Sequence, residues 1–515
     1  MKKTWLVNKK RNKQQQEASS PTAPPFIEKG LEANKKTIEA VFSACQDVKH
    51  QPFVFPADSG SIRLLLLYCE GMTNKERINE TILPKLQNWF SRKTIKEVQE
   101  ASLPQAWAFS DVTEETKWSM VIREVLDGKL AVFIEGIAAA YVIDTANHPQ
   151  RTPDESKTEV SIRGPHDGFI EEIGVNVALI RKRLLTPSLC YEQFIIGRRS
   201  QTKVGLLYIS DVANPQIVQE VKQNIQRIDI DALGSSAQLE ELVCNRTYLF
   251  FPILDYTGRP DYAVSGLLRG RFIIVIDGNP TVLVGPANLF MMMKSPEDNN
   301  LLYLIPSFEI SIRLIGLIIA LFLPGFWVAL SSFHQDQIPL PLLATLSESR
   351  RGVPFPAPME AFIMLFMFEL FREAGLRLPS NVGQTLSVVG GLIIGDAAIR
   401  SGLTSPSMVV LTAISSVAGF TLVNQSLTGI VSLVRLAVLL LSSVFGFFGF
   451  ISSVLLLVLY LGTVQSFGLP YLAPVSPFIP GEFFATFFRL PWKWINRRPS
   501  FLEGDDRTRQ GDRGK

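Results

Sequence analysis

The sequence predicts an α/β soluble region of two similar subdomains, followed by an all-α polytopic transmembrane domain. Two observations predict this fold class. A buried strand and the amphipathic helix after it recur about 140 residues further along the chain. Long apolar runs fill residues 311–488, whereas residues 1–310 have the mixed pattern of a soluble protein. Roughly twenty apolar residues cross the core of a bilayer as a helix, so we expect the second region to lie in a membrane.

The composition argues against several classes of function. The formal net charge is only +3 over 515 residues, and no basic stripe is interleaved with aromatic residues, so nucleic-acid binding is not expected. The four cysteines form no CxxC pair and the four histidines lack ligand spacing, so we expect reduced thiols and no metal site. No phosphate-binding or dinucleotide-binding glycine motif occurs, and His166 beside Asp167 is interpreted as a structural turn. We therefore expect no enzymatic activity, no catalytic residues and no cofactor.

Residues 1–56 are predicted to form a disordered basic and polar tail. Residues 1–13 contain basic side chains and no acid, and no apolar segment follows them, which is not the pattern of a signal peptide. The soluble region is therefore expected on the cytoplasmic side of the membrane. A weak contact between this tail and anionic lipid headgroups is the alternative to a free tail.

The repeated pattern predicts two α/β subdomains, at residues 57–190 and 191–305. Residues 61–68 and 203–210 are read as equivalent buried strands, and each is followed by a stretch with helical periodicity. A second pair of apolar runs also matches, and each run ends in an acid–glycine turn of the kind that closes a hairpin. Chance similarity between amphipathic strands is the alternative explanation.

The transmembrane domain is predicted at residues 306–488. Its clearest spans are residues 311–331, 407–423 and 436–461. Residues 359–371 are apolar but too few to cross easily, so they form either a re-entrant segment or a helix packed inside the bundle. The total number of crossings stays open at this stage.

Charged side chains in and beside the apolar runs predict specific contacts. Glu369 and Arg372, spaced i and i+3, are expected to form an intramembrane charge pair. Arg435 precedes the longest apolar run, and we expect it to snorkel or to pair near an interface. Residues 489–515 form a charged C-terminal tail that opens with tryptophans among basic residues, as is typical of a cytoplasmic membrane edge.

Residues 382–396 differ from the other apolar segments in their glycines and polar side chains. Small residues let helices approach closely, and such a helix could also line a water-filled path in an oligomer. Both interpretations fit the composition. In the second one, Asp396 and Glu373 are the acids that would attract cations. The candidate pore-lining residues are Gly383, Gln384, Ser387, Val389, Gly390, Ile393 and Ile394.

Several ordered motifs closely resemble the A subunit of GerA-type spore germinant receptors. They lie in both the soluble and the apolar region, and the resemblance covers nearly the whole chain after the N-terminal tail. The matching segments are residues 164–169, 277–280, 348–356, 369–379, 383–385 and 389–395, together with Glu360.

This resemblance implies a multi-pass membrane protein of the spore inner membrane, in contact with membrane lipid, with its N-terminal domain in the cytoplasm. It implies two partners, a transporter-like B subunit and a lipoprotein C subunit. It also implies a homo-oligomer, a pentamer, that forms a nutrient-gated cation channel and triggers germination. On this view residues 383–396 are the pore segment, and a constriction with so little charge can close by dewetting.

Three other functions stay open. A secondary transporter would move the nutrient itself, but such proteins often show paired hydrophobic halves, and here the duplication lies in the soluble region. An accessory A-like channel protein of the dipicolinate-transport locus is the second, and the long polar N-terminal extension favours a receptor subunit over it. A membrane scaffold that does not conduct is the third.

Overall fold

The computed structural model describes residues 23–57, 60–93, 97, 112–148, 163–244, 250–377, 395–504 and 506–509. The chain divides into two compact units. The first comprises Met1–Thr247, Tyr256–Pro286 and Ile495–Lys515, and the second comprises Tyr248–Asp255 and Ala287–Trp494.

The first unit contains two five-stranded sheets and the helices that cover them. The elements of the first sheet region are α1 (Leu31–Val41), β1 (Val48–Ala57), β2 (Gly60–Cys69), a π-helix (Arg77–Ile82), α2 (Leu83–Phe90), β3 (Val112–Glu115), α3 (Trp118–Leu126), β4 (Leu130–Ile134) and β5 (Ala140–Ile143). Those that follow are α4 (Ile173–Arg181), β6 (Leu189–Ile196), β7 (Thr202–Ile209), α5 (Pro215–Gln226), α6 (Ser236–Val243), β8 (Asp255–Thr257), α7 (Pro260–Leu267), β9 (Phe272–Ile276) and β10 (Val282–Gly285).

The two sheets have the same strand order. The order is β1-β2-β4-β5-β3 in the first and β6-β7-β9-β10-β8 in the second. The central strands pair antiparallel in equivalent registers, with Leu64 opposite Ile134 in the first sheet and Val204 opposite Ile276 in the second. The similarity between the two halves thus extends to their topology, whereas the subdomain boundaries drawn from the sequence stay a prediction.

Helices cover both faces of the first sheet because its central strands are apolar on both sides. Leu64 and Leu66 of β2 lie in one core with the π-helix and α2. Leu65 and Leu67 lie in another core with α1 and α3. Successive side chains of a strand point to opposite faces, so an unbroken apolar run is typical of a strand that is buried on both faces.

Residues 31–57 form a helix and a strand, so the predicted disordered tail is wrong for this part of the chain. Ile38 of α1 and Phe42, which directly follows this helix, are buried in the core that α1 shares with β2. β1 pairs antiparallel with β2 over its full length and is an edge strand. Pro52 and Pro56 are tolerated there because proline is compatible with an edge. These prolines and the polar neighbours of β1 obscured the strand in the sequence.

The second unit is mainly helical. Its elements are α8 (Leu289–Met292), a 3-10 turn (Pro296–Asn299), α9 (Leu304–Phe333), α10 (Leu340–Ser349), α11 (Ala357–Arg377), α12 (Pro406–Phe420), α13 (Gln425–Thr463), β11 (Gln465–Ser466), β12 (Leu469–Pro470) and α14 (Pro480–Phe487).

Within the described residues, α9 and α13 are the two helices that are long and apolar enough to cross a membrane, with 30 and 39 residues. They contain the predicted spans 311–331 and 436–461. α12, which covers most of the predicted span 407–423, has 15 residues. The ambiguous residues 359–371 lie inside α11, a helix of 21 residues.

Glycines bring α9 and α13 into close contact. A Cβ atom on Gly325 would lie 2.8 Å from Val438 Cγ1 and 2.9 Å from Ser442 Oγ. α13 is kinked at Gly446, whose φ of 61° and ψ of −137° are not helical. A Cβ atom there would lie 2.8 Å from the ring of Phe333. Small residues at such contacts are typical of helices that pack in membranes.

Candidate functional site

Four helices of the second unit meet at a small apolar core and bury charged side chains beside it. The core consists of Val328 from α9, Ala357, Ala361 and Leu365 from α11, Met408 from α12 and Leu439 from α13. Burying a charge is costly unless the charge is paired and hydrogen-bonded. Charged groups on apolar helices of this kind are therefore candidates for a functional site.

The first group, here called the Glu369 cluster, contains Glu369, Arg372, Ser415, Ser432 and Arg435. Arg372 Nη2 lies 2.7 Å from Glu369 Oε2, and Arg435 Nη2 pairs with Glu369 Oε1. Arg372 Nη1 donates to Ser432 Oγ at 2.9 Å, and Arg435 Nη1 donates to Ser415 Oγ at 3.3 Å. The predicted partners Glu369 and Arg372 are thus in contact, and a single carboxylate links α11 to α13.

Arg435 is the member of this cluster whose position the sequence did not predict. We expected it to snorkel or to pair near an interface, but only 4% of the residue is exposed. Its partner Glu369 is on another helix, so local spacing could not reveal the contact. Ser415, which accepts from Arg435, in turn donates to the Ala320 carbonyl at 3.2 Å. The cluster therefore contacts α9 and α12 as well as α11 and α13.

The second group, the Glu360 cluster, holds the start of α12. Glu360 is 1% exposed. Its Oε2 accepts hydrogen bonds from the Ser405 N–H at 3.0 Å and from Ser405 Oγ at 2.9 Å, and Arg350 Nη2 lies 3.1 Å from its Oε1. Ser405 is the N-cap residue of α12. The carboxylate of α11 thus satisfies an open N–H group at the positive end of α12, which links the two helices.

A third set of charges surrounds the start of α9. Arg313 Nη1 lies 2.7 Å from Asp298 Oδ2, and Arg313 Nη2 lies 3.2 Å from Glu309 Oε2. Arg489 donates to the carbonyl of Asn299 at 2.8 Å. The first residue of the predicted C-terminal tail is therefore bonded to the backbone just before α9, where the long apolar runs begin.

The predicted pore-lining residues come from one segment of the chain, between Gly383 and Ile394. All of them lie outside the described residues; they are Gly383, Gln384, Ser387, Val389, Gly390, Ile393 and Ile394. Their role stays a prediction.

The two predicted cation-attracting acids are both on exposed surface. Asp396 Oδ2 lies 2.8 Å from Arg400 Nε one turn further on, and the Asp396 side chain is 57% exposed. Glu373 is exposed on α11, one turn after Glu369. Neither is among the residues that contact the Glu369 carboxylate in the described part of the chain.

The chain matches the family described as Bacillus/Clostridium GerA spore germination protein over residues 36–501. The chain belongs to the GerA spore germination protein family. The matched region begins within α1 and ends after α14, so the GerA region contains both sheets and both charged clusters. Family membership confirms the resemblance that the ordered motifs showed.

Two relatives are similar to this chain over most of their length. The chain is 46% identical over 484 residues to spore germination protein XA of Bacillus anthracis, covering 94% of this chain and 98% of that protein. It is 36% identical over 474 residues to the uncharacterized membrane protein YfkQ of Bacillus subtilis, covering 92% and 91%. Among solved structures, it is similar to the N-terminal domain of the A subunit of the Bacillus megaterium spore germinant receptor GerK3. That match has 25% identity and a TM-score of 0.39, and it covers 52% of this chain and 98% of the other.

Proposed function

We propose that the chain is the A subunit of a nutrient-responsive spore germinant receptor. The observation that carries the proposal is membership of the GerA family over residues 36–501, with 46% identity to a protein named spore germination protein XA. The similarity runs through both units. It is therefore more than a shared soluble domain, and it supports a role that involves both parts of the chain.

The proposed subunit is a multi-pass protein of the spore inner membrane, with the first unit on the cytoplasmic side. The surface of α13 supports the membrane location, because only 22% of its most apolar window is buried. Leu433, Val444 and Phe448 are 68%, 67% and 74% exposed. Exposed apolar area of this extent marks a contact with lipid or protein rather than with water.

In the membrane, the subunit is proposed to form a homo-oligomer, a pentamer, that conducts cations when the receptor detects a nutrient. A transporter-like B subunit and a lipoprotein C subunit are the proposed partners. The pore segment would be residues 383–396. Its small residues and scarce charge support this assignment, since a narrow apolar constriction closes by dewetting.

Ion flux through liposomes tests the proposal. Full-length protein reconstituted with its B- and C-type partners is expected to release K⁺ or Na⁺ after the nutrient is added. Val389→Ala should change this flux severalfold, because a smaller side chain widens an apolar constriction. Val444→Ala is the matched control, since it makes the same change on the exposed surface of α13.

The alternatives predict different outcomes. No flux from folded protein in any oligomeric state would favour a scaffold, and uptake of labelled nutrient without ion flux would favour a transporter. Spores without the gene should lose the response to a nutrient; normal response with impaired dipicolinate accumulation would favour the accessory protein. Equal effects of Val389→Ala and Val444→Ala would remove the pore assignment.

A further inference from the structure

The Glu369 cluster lines a cleft within the second unit. The cleft opens to solvent at its mouth and holds about 10 Å³ for the centre of a water-sized sphere, which is room for about one small species, and its walls come from α11, α12 and α13. Glu369, Arg372 and Arg435 are its charged lining residues, and Phe368 and Phe420 form part of the apolar lining. Charged groups thus face a confined space between apolar helices.

The lining carries an excess of positive charge. One carboxylate, Glu369, faces two guanidinium groups, Arg372 and Arg435. Glu373, the next acid along α11, is exposed and does not line the cleft. An uncompensated charge is strongly unfavourable where the surroundings have a low dielectric constant. The cleft therefore favours a further negative charge.

The cleft also presents hydrogen-bond donors that the described residues do not satisfy. Arg435 Nε and Ser416 Oγ are buried without a hydrogen-bond partner in the described part of the chain. The two residues are 4% and 8% exposed. Ser432 Oγ accepts from Arg372 and from Arg435, so its own proton is left to donate. Residues with three such donors and one excess positive charge therefore line the same cleft.

We propose that this cleft binds a small anion, either a halide ion or the carboxylate of a small organic acid. Charge-assisted hydrogen bonds from arginine to such an anion are among the strong ones in proteins. A cation would be repelled by the two guanidinium groups, and a water molecule would satisfy the donors without balancing the charge. The inference goes beyond the proposed function and does not depend on ion conduction.

Thermal unfolding of the full-length protein in an uncharged detergent tests the proposal. The ionic strength is held constant with a bulky sulfonate, sodium 2-(N-morpholino)ethanesulfonate, which is replaced stepwise by sodium chloride or sodium acetate. The melting temperature should rise and saturate with one of these anions. Chloride and acetate distinguish a halide site from a carboxylate site. Line broadening of the ³⁵Cl resonance, and its reversal by acetate, measures binding directly.

Variants of the lining should shift the affinity in opposite directions. Arg435→Gln removes the excess charge and should abolish saturable binding, whereas Glu369→Gln increases the excess and should tighten binding at least tenfold. Ser416→Ala removes one donor and should weaken binding about tenfold. Ser442→Ala is the matched control, because Ser442 Oγ is also buried on an apolar helix without a partner among the described residues but lies outside the cleft.

Two results would overturn the proposal. The first is a wild-type protein whose melting temperature and ³⁵Cl line width respond to neither anion. The second is an anion response that is the same in Ser416→Ala, Glu369→Gln and wild-type protein. If Arg435→Gln does not fold, Ser416→Ala and Glu369→Gln still test the proposal, since these two changes are expected to shift the anion affinity in opposite directions.

Discussion

Two buried charge sites, one in each unit, use arginine in different ways. In the first unit, Arg181 and Asp47 form a one-to-one pair with side chains that are 0% and 4% exposed. In the second unit, Glu369 faces both Arg372 and Arg435, and the Glu369 side chain is 20% exposed. The first site is balanced in charge, whereas the second has one positive charge in excess.

The hydrogen bonds of the two sites also differ, because the Arg181 guanidinium in the first site is fully satisfied. Arg181 Nε and Nη2 donate to the two carboxylate oxygens of Asp47 at 2.9 and 2.8 Å, and Nη1 donates to the carbonyls of Thr186 and Leu189 at 3.2 and 3.0 Å. The Cys69 thiol lies 3.6 Å from Asp47 Oδ2. Burial raises the pKa of this thiol, so it stays protonated and donates to the carboxylate. Each nitrogen of the Arg181 guanidinium thus has an acceptor.

The comparison separates a site that stabilises the fold from a site with capacity for a ligand. Asp47 lies just before β1 and Arg181 ends α4, so their pair connects the elements of the two sheets within the first unit. A network in which every donor has an acceptor makes its surroundings rigid. A buried donor without an acceptor is unfavourable, so it favours the binding of a further partner. The variants below test this distinction.

The largest effect is expected from Asp47→Ala. The change leaves the Arg181 guanidinium buried without a carboxylate, and breaking one side of a buried pair costs about 3–5 kcal/mol. The free energy of opening of the first unit should fall by this amount. Amide hydrogen exchange of β1 and β2 in the full-length chain measures it.

The control for this prediction is the double variant Asp47→Leu with Arg181→Met. Both charges are removed together, so most of the lost stability should return. Chloride or acetate should not change the free energy of opening of the first unit in the double variant, because that variant has no excess charge at this site. A loss below about 1 kcal/mol in the single variant would contradict the interpretation of the pair as a closed structural site.

Glu360→Ala should have the next largest effect. The carboxylate accepts two hydrogen bonds from Ser405 and pairs with Arg350, and hydrogen bonds to a charged group contribute about 1.5–3 kcal/mol each. We expect a loss of about 2–3 kcal/mol and faster amide exchange in the first turn of α12. Glu360→Gln keeps an acceptor and should lose less. Unchanged exchange in α12 after Glu360→Ala would show that the carboxylate does not hold this helix.

Features with local sequence signals were the ones that the sequence predicted. The apolar run of residues 61–68 lies in β2 and that of residues 203–210 largely in β7, because alternation and length identify a buried strand without knowledge of its neighbours. The i and i+3 contact between Glu369 and Arg372 is also local. The repeat predicted two subdomains of similar build, and the two sheets have the same strand order.

Contacts between distant residues could not be predicted in this way. Glu369 and Arg435 are 66 residues apart, and Asp47 and Arg181 are 134 residues apart. Such pairs depend on the three-dimensional arrangement of helices and sheets. The spacing of residues along the sequence does not reveal this arrangement. A weaker signal was present, since an acid and an arginine that are each isolated in apolar surroundings require a partner.

Gly325→Ala should have a moderate effect on the second unit. The added methyl group would fall 2.8 Å from Val438 Cγ1, so α9 and α13 must move apart. Overpacking of this kind costs about 1–3 kcal/mol. Thermal unfolding in detergent measures the loss. Gly429→Ala is the matched control, because a Cβ atom on Gly429 in α13 meets nothing within 4 Å. Equal melting temperatures for the two variants would contradict the close contact.

The smallest effect is expected from Asp229→Ala, which tests whether burial or geometry decides the strength of an ion pair. Arg198 Nε donates to Asp229 Oδ1 at 2.8 Å, in a fork-like arrangement similar to that of Arg181 with Asp47. The side chains of Arg198 and Asp229 are 74% and 64% exposed, so water and salt screen their attraction. The melting temperature should not change measurably at low or high salt. A destabilisation similar to that of Asp47→Ala would show that the fork geometry suffices without burial. In that case the difference between the Arg181–Asp47 pair and the Glu369 cluster would have to be judged by hydrogen-bond geometry alone, without burial.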